Sequence, residues 1–401
     1  MGRPRHTDGA TLTIGTTELL RLRLSAQGLG PSDPAPPPGP ASDVAAGAVG
    51  RLFALQGQDL PGVLWSIGRR SPGADVADVR GAFTSGDLVR SWPFRGTLHV
   101  LAARDLPWVL ALTRDRMLAS AARRERELNL DATTFTLARD AAVRALEGGR
   151  SLARSELLAA FEDAGVRTDQ QRGYHLLWHL GLEGVVVLGP FHGAEQHLVL
   201  LDEWVSDPRD LRGADAVREV VLRHLAGRGA ASVADVAWWS KLPVRAVRAA
   251  VDELQGSLTG LDHEGTTLWA VTEALDTPPA QHAPVLALPG FDELLLGYTD
   301  RTASLADEHA LLTVPGGNGM FKPTVVVDGH VAGLWSRKVG ARRATLTFTP
   351  LEVPFDDGVR AGIRSEADRY GRFLGVEADV VVEDEPVLPT SPVRSRQARR
   401  A

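Results

Sequence analysis

The stretch LFALQGQDLPG, Leu52 to Gly62, sets two glutamines, Gln56 and Gln58, on either side of Gly57, where an apolar helical pattern gives way to a Pro-Gly pair. Glutamine is a poor base and a poor nucleophile, so chemistry at this point has to be undemanding: an amide can hold and orient another molecule, little more. Taken alone, the pair reads as a polar helix end. A second polar set lies in SWPFRGTLHV, where Arg95, Thr97 and His99 occupy alternate positions of a predicted strand and so share one face. A solvated hairpin would show the same alternation.

Other chemistries find no support. HLLWH places His175 and His179 four apart on a predicted helix, but no glutamate follows the first histidine as in a zinc-binding His-Glu-x-x-His, and Trp178 and the leucines mark a core-facing helix. GGNG, Gly316 to Gly319, lacks the Gly-Lys-Ser/Thr of a phosphate loop and precedes a β run; no Gly-x-Ser-x-Gly elbow occurs. With 0 cysteines there are no disulfides and no thiolate metal sites. Neither a metal nor a cofactor is expected.

The elements that must position these residues follow from hydrophobic spacing. DVAAGAVGRLFALQ, LPGVLWSIGRR and ADVRGAFTSGDLVRSW give three short helices, and RSWPFRGTLHVLA gives a strand or hairpin broken at Gly96; three helices and a hairpin make a winged helix. The order repeats from Asp131 through the SLARSELLAAF helix start to a hairpin ending near Leu200. It repeats again from Asp215 through ASVADVAWWS to a hairpin around Glu264-Gly265. From Ala283 the chain turns to short β-rich runs divided by Gly, Pro and Asp-Gly turns, which suggests a small β-barrel. The expected fold class is α+β, with an N-terminal segment and Pro-rich loop (1–42), three tandem winged-helix units (43–128, 129–205, 206–275), a β-barrel-like domain (276–388) and a disordered basic tail (389–401).

The chain's 401 residues suffice for two or three domains, and 44% hydrophobic with 23% charged residues is the composition of a soluble globular protein. No secretory signal or apolar span is evident, so a cytoplasmic protein with no membrane association is expected. Net charge is −6, which argues against a strongly basic nucleic-acid binder, although a local patch rather than the total carries that footprint. Of the 44 basic residues three are lysine (Lys241, Lys322, Lys338) and the other 41 arginine, so an isolated arginine is weak evidence for phosphate binding.

Together, QGLG (Gln27 to Gly30), LQGQDLPGVLWSI, WPFRGTLHVL, LPGFDELLLGYTDR and FKPTVVVDGHVAGLW resemble the AlkZ-like winged-helix DNA glycosylases of bacteria, over about Leu19 to Glu383. The combination is specific although each motif alone is not. The resemblance implies three winged helices and a β-barrel arranged as a C-shaped cleft around DNA. It places the catalytic Gln-x-Gln signature on Gln56 and Gln58, with Gly57 where that branch commonly has an apolar residue. It further implies excision of alkylated purines, especially cationic N7-alkylguanine, from double-stranded DNA, with interstrand cross-link unhooking and antibiotic self-resistance known in some members.

On that footing the expected activity is a monofunctional glycosylase, acting as a monomer, with water positioned by Gln56 and Gln58. Arg95, Thr97 and His99 are assigned to the cleft wall, and Arg301, Lys322 and Arg337 to phosphate contact. The Asp328-Gly329 hairpin, with His330 beside its tip, is a candidate minor-groove probe. Asp292 and Tyr298 are read as buried structural residues that orient the β-rich domain against the cleft. The alternative is a non-enzymatic winged-helix DNA-binding protein, a regulator or damage binder.

Overall fold

A computed structural model describes residues 12–30, 39–276, 285–317 and 319–387. The Pro-rich loop, the basic tail and Asn318 of the GGNG loop lie outside the described residues. Strand β1 (Leu12–Thr13) and helix Thr16–Ala26 open the chain. Helix Ala41–Leu52 then runs into β2 (Ala54–Gln56), followed by helices Leu60–Arg69 and Val76–Thr84 and the hairpin β3 (Leu88–Phe94) and β4 (Thr97–Ala102). Asp75 and Asp78 form a capping box at the start of the Val76–Thr84 helix, satisfying its first backbone N–H groups.

The long helix Leu106–Glu127 leads to helices Ala132–Leu146, Arg154–Asp163 and Arg172–Leu182 and to β5 (Val186–His192) and β6 (Glu195–Leu200). Helices Gly213–Arg228, Val233–Ser240 and Val244–Glu253 precede β7 (Leu258–His263) and β8 (Thr266–Val271). The last region holds β9 (Leu286–Leu288), β10 (Thr324–Val327), β11 (His330–Val339), β12 (Arg343–Pro350), helix Asp357–Leu374 and β13 (Glu377–Val382).

The hairpins do not stand as separate wings. β3 pairs with β5 at Arg90 and Leu188, so the first two join β2 in one sheet of order β2-β4-β3-β5-β6. The third hairpin takes β1 as a parallel neighbour, which ties the N-terminal segment to the far end of the helical region.

The β-rich region departs from the expected barrel. Its five strands form an open sheet, β13-β12-β11-β10-β9, whose outer strands β13 and β9 do not pair. β12 and β13 are parallel, and parallel neighbours need a crossover. The crossover is helix Asp357–Leu374, which packs against β13, β12 and β9 and covers the sheet instead of letting its edges close. The same helix meets the first helical group: the Trp65 ring stands edge-on to Tyr370 at 5.0 Å, and Trp65 Nε1 donates to Ala287 O at 2.7 Å. One apolar cluster therefore runs from Val63 and Trp65 through Val325, Trp335 and Phe348 to Tyr370 and Phe373.

Candidate active site

Gln56 ends β2, an edge strand, with His99 of β4 as its register partner. Helix Leu60–Arg69 begins soon after, its Pro61 at a first-turn position where the missing N–H costs nothing. Between them the two glutamines close on each other: Gln56 Nε2 donates to Gln58 Oε1 at 3.0 Å, and Gln58 N donates to Gln56 Oε1 at 3.1 Å. Gln56 is 7% exposed, whereas Gln58 stands open to solvent.

Behind Gln56 lies a buried ionic knot. The Glu293 carboxylate accepts from Gln56 N at 2.9 Å, from Trp239 Nε1 at 2.9 Å, and from Arg228 Nε and Nη2 at 3.1 and 2.6 Å. Arg228 also donates to the carbonyls of Leu52 and Ala54, so it holds both the helix end and the strand that lead to the motif. The Arg228 and Glu293 side chains are 0% and 1% exposed. A carboxylate taken out of water is tolerable only when paired and hydrogen-bonded in this way.

Arg95 lies in the β3–β4 turn, not on the strand, with φ of 54°. It still reaches its expected companion: Arg95 Nη2 lies 3.2 Å from His99 Nε2, while His99 Nδ1 lies 2.8 Å from Thr97 O. A carbonyl can only accept, so Nδ1 carries the proton and Nε2 accepts from the guanidinium. Burial, then the Arg95 charge, hold His99 well below the usual imidazole range. His99 is thus a neutral support occupied at both nitrogens. Burial also lowers Arg95 to about 10, against the opposing pull of Glu293 and with Arg228 and Arg301 adding to the fall. Its guanidinium donates to Trp239 O and lies over Trp238, turning the side chain inward.

The remaining assigned residues divide. Arg301 donates to Leu295 O and Thr299 O and lies over the Trp238 and Phe321 rings, beside a cavity of about 720 Å³. Arg337 Nη2 pairs with Asp59 at 3.0 Å, next to Gln58, while its Nη1 is buried without a partner. Lys322 and His330 are exposed. The Asp328-Gly329 turn packs Gly329 against Leu20, so the proposed probe tip is docked on helix Thr16–Ala26. His179 bonds Glu125 and stacks on Phe135.

Asp292 and Tyr298 are buried. Burial pushes the Asp292 carboxyl up, but two bonds from Arg70, both 2.8 Å, with Leu294 N and Ser66 Oγ, bring it below the ordinary carboxylate range. Tyr298 donates to Arg228 O at 2.5 Å. Sequence reasoning missed Glu293, Arg228 and Trp239. The one available signal was a carboxylate at the head of the apolar run ELLL.

The sequence profile of the AlkZ-like family, described as DNA glycosylase AlkZ-like, matches residues 49–373, the span that holds the glutamine pair and its ionic support. The chain belongs to this family. Its members are DNA glycosylases, which sets aside the reading as a non-enzymatic DNA binder. Among curated proteins, the chain is 28% identical over 368 residues to a Streptomyces sahachiroi protein named interstrand DNA cross-link repair glycosylase, covering 84% of this chain and 91% of that one. Among solved structures it is similar to the S. sahachiroi DNA glycosylase AlkZ, with a TM-score of 0.74 at 23% identity over 93% of this chain and 100% of that chain, a likeness of fold. Among the described residues, no helix is long and apolar enough to cross a membrane.

Proposed function

We propose that this DNA glycosylase hydrolyses the N-glycosidic bond of alkylated purines of the N7-alkylguanine type in duplex DNA, with the attacking water held by Gln56 and Gln58. The observation that carries this reading is the reciprocal bonding of the two amides. Each amide oxygen accepts one bond within the motif, which leaves one lone pair on each. A water that donates one hydrogen to each oxygen turns its own lone pair outward, toward the C1′ of a nucleotide at the open side of Gln58.

Neutral amides suffice because the substrate supplies the driving force. N7 alkylation makes the base cationic, so the C1′–N9 bonding pair leaves with it and the base departs as a neutral purine with no general acid. Water adds to the oxocarbenium-like carbon and its surplus proton passes to solvent. Orientation of that water is the protein's share, and DNA phosphates stabilise the positive sugar. An unmodified purine is too poor a leaving group, which predicts a narrow substrate range. The exposure of Gln58 suits bulky adducts and cross-linked bases as well as methyl groups. The three runs of helices and hairpin support a reading as winged-helix units along the duplex, with exposed Lys322 and His330 available to DNA.

The test is release of N7-methylguanine from duplex DNA by Gln56→Ala and Gln58→Ala. Each is expected to lose about 10²-fold in rate while retaining duplex affinity. Wild-type rates in both would overturn water positioning. Comparable release of unmodified guanine would overturn the dependence on a cationic base.

A further inference from the structure

The opposite face of the same sheet carries an arginine with no role in the network above. Arg90 of β3 stands opposite Val100 of β4, and Val100 opposite Leu55 of β2, so these side chains share a face. The Arg90 stem crosses Val100 to reach the Gln-x-Gln segment. A Cβ built on Gly57 would lie 3.2 Å from Arg90 Cδ, 3.5 Å from its Cγ and 3.2 Å from Val100 Cγ2. Residue 57 has no unusual φ, and its N–H bonds Leu98 O at 2.7 Å, so glycine is not there for backbone freedom. It is there for space: the Arg90 stem occupies the place of the apolar side chain that the Gln-x-Gln branch commonly puts between its glutamines.

The guanidinium delivered to this place is unpaired. Arg90 Nε and Nη1 are buried and without a hydrogen-bond partner, and among the described residues no carboxylate pairs with the group. Burial alone lowers its pKa to about 10, which leaves it charged at neutral pH. A buried cation without an acceptor is unfavourable unless an anion arrives from outside. For an enzyme whose substrate is DNA, the anion at hand beside the two glutamines is a backbone phosphate. A guanidinium fork binds such an oxygen pair in a fixed geometry.

We propose that Arg90 is a phosphate-binding residue that engages the DNA backbone next to the target nucleotide, in a site opened by Gly57. The proposal rests on the reading of Gln56 and Gln58 as the water-holding pair, since that pair fixes where the target nucleotide lies. Phosphate binding registers the strand against the water. It also neutralises the guanidinium, so that no free positive charge opposes the developing cationic sugar.

The experiment is a salt titration of affinity for undamaged duplex, alongside N7-methylguanine release, with wild type, Arg90→Met, Arg90→Lys, Gly57→Val and Gln58→Ala, each checked for a native melting transition. Arg90→Met is expected to lower the slope of log affinity against log salt by about one and to weaken binding about tenfold near 0.1 M salt. Arg90→Lys should keep the slope. Gly57→Val should lower it as Arg90→Met does, by displacing the stem. A wild-type slope in Arg90→Met overturns the proposal, as does a slope lost equally in Arg90→Met and Arg90→Lys, which would point to packing. Gln58→Ala separates the two readings: a wild-type slope with lost release supports both, and wild-type release with the slope lost only in Arg90→Met and Gly57→Val sinks water positioning alone.

Discussion

Arg228 and Arg90 approach the same three-residue strand, β2, from different sides and in opposite states. Arg228 is fully enclosed, and its donors meet Glu293 and the carbonyls of Leu52 and Ala54. Arg90 lays its stem against Gly57, and its buried Nε and Nη1 meet no acceptor. One arginine is finished by the protein and belongs to its structure. The other is left open, and an open buried charge is a cost that folding alone gives no reason to keep. The difference separates a residue that holds Gln56 in place from one whose proposed partner is the DNA backbone.

The comparison can be broken by stability measurements. The largest effect is expected for Arg228→Met: it strands Glu293 in the core and should cost about 3–5 kcal/mol in denaturant unfolding, whereas Arg228→Met with Glu293→Gln should recover part of that loss. A cost near zero for the single variant would show that the knot does not hold β2. Arg90→Met, by contrast, should leave unfolding free energy unchanged or raised, because it removes a buried cation and keeps the apolar stem.

A further effect comes from the imidazoles on the Arg228 side. His99 and His224 are both fully buried and held far below the ordinary histidine range, first by burial and then by the Arg95 and Arg228 charges. In the unfolded chain each takes up a proton below about pH 6.5, while the folded form does not. Stability should therefore fall with decreasing pH, by about 1.4 kcal/mol per unit for each histidine. His224→Phe should roughly halve the slope measured between pH 6.5 and 5.

The smallest effect is expected at the rim. Arg337→Met breaks the half-buried pair with Asp59 and should change stability by about 1 kcal/mol or less.

Much of the local architecture was legible. Period and capping residues gave the helices ahead of each hairpin, because a helix buries the face its own spacing defines, but not the 22-residue helix Leu106–Glu127 between the first hairpin and the second run. The glutamines and the WPFRGTLHV strand were readable as neighbours, and register does pair Gln56 with His99. The open sheet was not legible: short alternating strands look alike whether a sheet closes or is covered, and the deciding element was a crossover helix whose packing partners lie elsewhere in the chain. Arg95 was misplaced by one turn residue, since Arg-Gly at a hairpin tip continues the alternation of the strand beside it.

The elements and the motif can be read along the chain, because both rest on residues a few positions apart. What surrounds the motif depends on long-range packing. The contact from Gln56 N to Glu293 spans 237 positions, and no periodicity reaches that far. Gly57 makes the same point at closer range: in the chain it is a missing apolar side chain, and in the fold the Arg90 stem lies against that space, since only the packed sheet brings β3 across β4 to β2.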